Sequence, residues 1–178
     1  AVDETEQVWA ATDAGVALLA GGQWTVYNRA NSGLISDNVT SIAVGGSVWC
    51  GTDMGLSVLC KGQWDTHKWV ALQSSNSSLP RDRIVALTLD ASDNLWVGTE
   101  QGFAQTRDGS EWWTNPVYTD AIYDIVVGAD NTPWFNLGDR VGHLTDCSWA
   151  TYDASMLGVK GSSIAAMALD ERGRLWVG

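Results

Sequence analysis

Short apolar runs alternate with polar, glycine-rich breaks along the whole chain, and no run keeps the 3.6-residue period of a helix. The breaks, such as Asp90–Asn94 and residues 107–110, are rich in Asp, Asn, Ser and Gly, which favour tight turns. Only Asp153–Ser162 has room for a single helical turn. The pattern predicts an all-β chain of short antiparallel strands joined by hairpins. The stretch with the clearest strand pattern predicts Ile84–Leu89, Leu95–Thr99, Phe103–Thr106 and Glu111–Thr114.

Tryptophan shows that this strand pattern is repeated. The chain has 11 Trp and 19 Gly in 178 residues, and five of the Trp recur at spacings of 40, 47, 38 and 42. A glycine follows the first Trp of a unit by six residues in three copies, Gly15, Gly55 and Gly102, and Arg140 takes that place in the fourth. The first series is Trp9, Trp49, Trp96, Trp134 and Trp176, and a second follows it by 15 or 16 residues at Trp24, Trp64, Trp112 and Trp149.

Four strands about every 40 residues are typical of a β-propeller blade, which buries its two faces against neighbouring blades. We therefore predict a single propeller domain of about four four-stranded antiparallel blades. Leu175–Gly178 duplicates the role of Val8–Thr12, so three arrangements stay open: a segment of a larger propeller, a four-blade ring closed by strand exchange, and a ring shared by two copies. The predicted units are residues 8–38, 39–83, 84–121 and 122–162, with 163–178 starting or closing a further blade.

Composition narrows the classes of partner. Lys and Arg number 10 against 21 Asp and Glu, which gives a formal net charge of −11. A surface this acidic repels phosphate backbones, so we expect no nucleic-acid partner. No apolar run is long enough to cross a bilayer, so we expect no direct membrane insertion. Association of copies through open propeller edges is expected if the ring is incomplete.

Nothing in the sequence indicates catalysis or a metal site. His67 and His143 lie far apart, and no serine or cysteine occupies a nucleophile motif. The acidic turns at Asp90–Asn94, Asp130–Asn131 and Asp170–Glu171 lack the ligand spacing of a calcium loop, so we interpret them as Asx-turns. We predict a protein that is not an enzyme and that uses no cofactor and no metal.

Cysteine gives little information on redox state. Three Cys leave at least one unpaired unless chains are linked. A two-residue turn after Thr52 pairs position 50 with 57 and 47 with 60, which places Cys50 and Cys60 on opposite faces of the hairpin. We therefore expect no disulfide between them.

The repeat resembles the two-component regulator propeller family. The resemblance rests on Asn31-Ser-Gly-Leu34, Asn38–Ala43 and Val48-Trp-Cys-Gly-Thr52, and again on Asn76–Pro80 and Asn94–Thr99. It implies an extracytoplasmic sensor region of a bacterial signalling protein, located in the periplasm or outside the cell, which binds a ligand that is often a carbohydrate.

Candidate ligand-binding residues are those that the repeat does not explain. Most lie in or beside the connectors between blades, which form one mouth of a propeller channel. Aromatic plates flanked by polar groups suit a saccharide or another small ligand. The repeated Trp at positions 9, 49, 96, 134 and 176 are instead interpreted as packing residues. The candidates are Trp69, Trp113, Tyr118, Tyr123, Arg81, Arg83 and His67.

The expected function is therefore non-catalytic ligand sensing by a propeller. Two alternatives stay open: a structural or protein-interaction module, and a propeller glycosidase or polysaccharide lyase. A concave aromatic pocket around Trp69, Trp113 and Tyr118 would favour sensing, and flat polar connectors would favour the interaction module.

Overall fold

The computed structural model describes residues 1–60, 69–115, 118–145, 148–159 and 163–178. Within these residues the chain forms seventeen short strands and no helix. Blade 1 consists of β1 (Val8–Thr12), β2 (Gly15–Ala20) and β3 (Gln23–Tyr27). Blade 2 consists of β4 (Val39–Val44), β5 (Val48–Thr52), β6 (Gly55–Leu59) and β7 (Val70–Leu72), and blade 3 of β8 (Ile84–Leu89), β9 (Leu95–Thr99), β10 (Gly102–Thr106) and β11 (Trp112–Thr114). Blade 4 consists of β12 (Asp124–Val127), β13 (Pro133–Asn136), β14 (Arg140–Thr145) and β15 (Ser148–Asp153), and blade 5 of β16 (Met167–Leu169) and β17 (Leu175–Val177).

Each blade is a separate antiparallel meander. Blades 2, 3 and 4 have four strands in sequence order, blade 1 has three, and blade 5 has two. The inner strands β4, β8, β12 and β16 lie against one another in turn. Because the first and third turns of a meander lie at one end of the sheet, the second turn and the connector to the next blade lie at the other end.

Four hydrophobic clusters hold the blades together, one between each pair of neighbours. Trp9 of blade 1 packs on Val48 and Cys50 of blade 2, and Trp49 of blade 2 packs with Leu95 and Val97 of blade 3. The third cluster joins blade 3 to Phe135 of blade 4, and the fourth joins blade 4 to blade 5. Burial between blades is the main stabilising contribution, because a thin meander has no core of its own.

The prediction of an all-β propeller is confirmed, and the two ends of the chain select among its three arrangements. In the described residues, β1–β3 and β16–β17 belong to different sheets. Of the three open arrangements, the four-blade ring closed by strand exchange is therefore not formed, because the two terminal sheets do not join. The open sheets fit a segment of a larger propeller.

The repeated glycine marks the second turn of a blade. Gly15, Gly55 and Gly102 all have positive φ, at 117°, 139° and 92°. A Cβ on Gly102 would lie 2.5 Å from the backbone oxygen of Tyr118 in the connector. Glycine is needed here both for its φ and for the close approach of two backbones.

The hairpin of β5 and β6 has the predicted register. Cys50 pairs with Ser57, and both Cys50 and Cys60 are free thiols. Burial in the first cluster raises the pKa of Cys50 well above its usual value, so this thiol is a packing residue with little thiolate at neutral pH.

Candidate functional site

In blades 1 to 4, one face carries a row of three side chains that begins with the repeated tryptophan. In blade 2 the row consists of Trp49, Val58 and Val70, which pair across neighbouring strands. In blade 1 the row starts with Trp9 and Leu18. The buried aliphatic side chain beside the tryptophan continues the contact with the next blade.

Blade 3 departs from this pattern. Its row consists of Trp96, Gln105 and Trp113, so an amide and a second indole replace two aliphatic residues. The ring of Trp113 meets that of Trp96 edge-on with 6.1 Å between centroids, and Trp113 remains 45% exposed. Gln105 replaces the buried Val58 and so offers less apolar surface to the next blade, whereas the third position is about half exposed in both blades, as Val70 and Trp113.

A groove of about 340 Å³ opens between blades 3 and 4 at this row. It lies at the end of the blades that carries the Asp90–Asn94 turn, opposite the connectors. Its walls combine aromatic surface with amide and hydroxyl groups, which is the composition of a small-molecule site. Blade 3 contributes Asp90, Asn94, Trp96, Gln105 and Trp113, and blade 4 contributes Asn131, Thr132, Pro133, Leu144 and Thr145.

Asp90 organises the floor of this groove. Its carboxylate accepts the backbone N–H groups of Ser92 and Asn94, both at 2.9 Å, and the indole N–H of Trp96 at 3.2 Å. The side-chain amide of Asn94 donates to it at 2.9 Å and that of Gln105 at 3.5 Å. These bonds confirm the Asx-turn interpretation and fix the orientation of Trp96.

The Asp90 carboxylate is ionised although its residue is only 7% exposed. Burial is the largest influence and raises the pKa of Asp90, but the hydrogen bonds from Asn94, Ser92 and Trp96 together outweigh it and lower the pKa. The groove therefore presents a fixed negative charge at neutral pH.

Asn131 joins the two walls of the groove. Its side-chain oxygen accepts the N–H of Ala91 at 2.9 Å, and its amide donates to Ser92 Oγ at 3.0 Å. The Gln105 amide, by contrast, makes a single long bond within the described residues. Gln105 is thus the groove amide with the most capacity left for a ligand.

The predicted candidates on the connector side are held by other residues. Arg81 Nε donates to Gln101 at 2.7 Å, and Arg83 forms an ion pair with Glu100 at 2.9 Å. Both bonds tie the connector before blade 3 to the second turn of that blade. Because these pairs are exposed, each contributes little to stability.

The aromatic candidates are not brought together. Trp69 is 3% exposed within the cluster between blades 1 and 2, and Tyr118 stacks on Trp149 at 4.1 Å in the cluster between blades 3 and 4. Tyr123 is exposed at the connector end of blade 4, and Trp113 lines the groove at the opposite end. A pocket shared by Trp69, Trp113 and Tyr118, which would have favoured sensing, is therefore not formed by these residues. His67 lies outside the described residues.

One regularity of the sequence identifies the carboxylate that orients the repeated tryptophan. Aspartate precedes the repeated tryptophan by six residues in three units, and in each of them the indole donates to that carboxylate. This pairing agrees with the prediction that the indole N–H is satisfied by a neighbour. Gln105 and Asn94 carry no such signal, because both are ordinary surface residue types. The pairs are Asp3 with Trp9, Asp90 with Trp96, and Asp170 with Trp176.

Comparison with known proteins agrees with this architecture. Residues 78–101 match the family described as two component regulator propeller, which confirms the predicted repeat. No curated protein matches the chain. In the described residues no helix is long and apolar enough to cross a membrane, and no group of His, Cys, Asp and Glu side chains could hold a metal ion.

Several solved structures share the fold. The extracellular domain assigned to a hybrid two component system of B. thetaiotaomicron is 16% identical at a TM-score of 0.78, over 100% of this chain and 26% of that one. An extracellular domain assigned to a one component system of the same organism is 16% identical at a TM-score of 0.76, and the match covers 97% of this chain and 24% of that one. Virginiamycin B lyase from Staphylococcus aureus is 17% identical at a TM-score of 0.72, and the match covers 99% of this chain and 61% of that one. The chain thus spans about a quarter of the length of these two extracellular domains, and at these identities the likeness shows the fold.

Proposed function

We propose that this chain is a ligand-binding part of an extracellular or periplasmic sensor propeller, and that the groove between blades 3 and 4 binds a saccharide. The observation that carries the proposal is the row Trp96, Gln105 and Trp113, which lines the groove with an amide and an exposed indole where blade 2 has two valines. The match to the two component regulator propeller family and the likeness to extracellular sensor domains support the sensor role.

The chemistry of the groove suits a polyhydroxylated ring. The exposed face of Trp113 offers apolar surface on which the C–H face of a sugar can stack. The Gln105 amide and the side-chain oxygen of Asn94 lie beside it and can exchange hydrogen bonds with hydroxyl groups at the ring edge. Such a combination of one aromatic ring face and a few oriented polar groups is typical of small-molecule sites.

The groove favours binding over catalysis. Asp90 is its single carboxylate, and that carboxylate already accepts hydrogen bonds from two backbone amides, two side-chain amides and an indole. A general acid must hold a proton near neutral pH, whereas the pKa of Asp90 is lowered. The lyase among the structural relatives therefore does not change the proposal.

A calorimetric titration tests this function. The wild-type chain is titrated with di- and tetrasaccharides of glucose, glucosamine and N-acetylglucosamine, and the Trp113→Ala variant is titrated beside it. We expect binding to the wild type and a loss of about tenfold or more in Trp113→Ala, because stacking on a large aromatic face supplies much of the affinity.

The matched control is Trp24→Ala, which removes a tryptophan that is 57% exposed on β3 of blade 1, away from the groove. This variant should bind like the wild type. Equal loss in both variants, or binding that survives Trp113→Ala, would show that the groove is not the site.

A further inference from the structure

Blades 3 and 5 contain the same aspartate–tryptophan unit. In blade 5 the indole of Trp176 donates to Asp170 at 3.2 Å, the same distance as between Trp96 and Asp90 in blade 3. Asp170 also accepts the backbone N–H groups two and four residues later, as Asp90 does. The two units can therefore be compared residue by residue.

The units differ at the residue four positions after the aspartate. In blade 5 this residue is Arg174, whose Nε lies 2.7 Å from the Asp170 carboxylate. The guanidinium carbon lies 5.6 Å from the centre of the Trp176 ring, within cation–π distance. A cation in blade 5 thus contacts the carboxylate and the aromatic ring of the unit at the same time.

Blade 3 has Asn94 at this position, whose side-chain amide donates to Asp90 Oδ2 at 2.9 Å but carries no charge. In the described part of the chain Asp90 forms no ion pair, and no Lys or Arg lines the groove between blades 3 and 4. Two indoles, Trp96 and Trp113, line the groove beside that carboxylate. The protein as a whole carries a net charge of −11, which raises the local concentration of cations.

We propose that the groove between blades 3 and 4 binds the ammonium group of an amino sugar, which supplies beside Asp90 and the exposed ring of Trp113 the positive charge that Arg174 supplies beside Asp170 and Trp176. This inference rests on the proposed saccharide-binding function and names the class of sugar. An ammonium group gains from a carboxylate and from an aromatic face together, and both gains grow when water is excluded. The low pKa of Asp90 keeps this carboxylate charged in mildly acidic solution, where an amino sugar is protonated.

The test compares two ligands that differ at the C2 nitrogen, which is a charged ammonium group in one and a neutral, bulkier acetamido group in the other. The glucosamine disaccharide and the N-acetylglucosamine disaccharide share their ring skeleton, and the first carries ammonium groups at pH 6. We expect the wild-type chain to bind the glucosamine disaccharide about tenfold more tightly. This preference should shrink as salt is raised, because the interaction is electrostatic.

The variant Asn94→Arg places the cation of blade 5 into blade 3. It should lose the preference for the glucosamine disaccharide, since the new guanidinium competes with the ligand for Asp90. It should melt no lower than the wild type, which separates lost binding from lost folding. The control Asn38→Arg adds the same charge at an exposed position in blade 2, at the connector end, and should keep the preference.

A preference that Asn94→Arg abolishes and Asn38→Arg retains supports the inference. A preference that survives Asn94→Arg, or that Asn38→Arg also abolishes, overturns the inference. Equal affinity for the two disaccharides overturns it and leaves the proposed function standing. Absence of binding for every saccharide in the titrations overturns the proposed function and the inference with it.

Discussion

Blades 2 and 3 are built from the same strands but use one face differently. Both have a buried tryptophan on the second strand, Trp49 and Trp96, that packs against the next blade. The second position is the buried Val58 in blade 2 and Gln105 in blade 3, and the third is exposed in both, as Val70 and Trp113. Packing therefore specifies the first position in both blades and the second in blade 2, and leaves the third free.

The comparison of blades 2 and 3 indicates where a repeat protein can carry a binding site. A blade must bury both faces near its inner strands, where successive blades meet. Farther out, the row in blade 3 exchanges aliphatic side chains for an amide and an indole, so its groove is lined by Asp90, Gln105 and Trp113. Departure from the repeat at a position that the fold does not require is thus the structural signature of the candidate site.

The largest expected effect is on the shared position. Trp49→Ala and Trp96→Ala should each lower the free energy of unfolding by about 3–5 kcal/mol, because each removes a large side chain from a cluster between blades. Urea unfolding followed by circular dichroism measures this. If Trp96→Ala costs much less than Trp49→Ala, blade 3 does not share the packing of blade 2.

The aspartate of blade 3 should make stability depend on acid. Because the pKa of Asp90 is lowered in the folded chain, its contribution is present above the unfolded value and is lost as pH falls through the folded pKa. Asp90→Asn should cost about 1.5–3 kcal/mol at neutral pH, since hydrogen bonds to a charged acceptor are lost. Between pH 7 and pH 3 the melting temperature of this variant should change less than that of the wild type.

Blade 4 extends the comparison, because its row consists of Trp134, His143 and Ala150. The His143 ring stacks on Trp134 with 3.7 Å between ring centroids. Burial lowers the pKa of His143, and the negative charge of Asp130 raises it by a smaller amount. The fold thus favours neutral His143, so its stabilisation is present above about pH 6.5 and is lost as pH falls through the lowered folded pKa.

The variant His143→Gln removes that titration. Its stability should change less than that of the wild type between pH 7 and pH 5, as read from thermal melting. A steeper dependence in the variant would contradict the assignment of His143 as a neutral stacking residue.

The smallest expected effect on folding lies at the exposed end of the blade 3 row. Trp113→Ala should lower the free energy of unfolding by no more than about 1 kcal/mol, because nearly half of this side chain is in solvent. Chemical denaturation against the wild type measures the difference. A cost similar to that of Trp96→Ala would assign Trp113 to packing.

The strands of blade 3 could be predicted within one residue, because turn residues and the period of two both constrain them. Leu95–Thr99 forms as predicted, and β11 begins at Trp112, one residue after the predicted start. The repeated glycines also had a local cause that is visible in sequence, namely positive φ in a tight turn.

The site was harder to predict, because adjacent residues of a strand face opposite neighbours. Trp112 packs toward blade 2, whereas Trp113 lines the groove toward blade 4. Trp69 is equally unrepeated in sequence, yet it lies in a cluster between blades. Only the register across three strands brings Gln105 between Trp96 and Trp113.

The most direct test of the account gives blade 3 the row of blade 2. The double variant Gln105→Val with Trp113→Val is compared with the wild type for its free energy of unfolding and for its affinity toward the glucosamine disaccharide. The account predicts stability within about 1 kcal/mol of the wild type and an affinity at least about tenfold weaker. Retained affinity, or a loss of stability as large as that of Trp96→Ala, would contradict it.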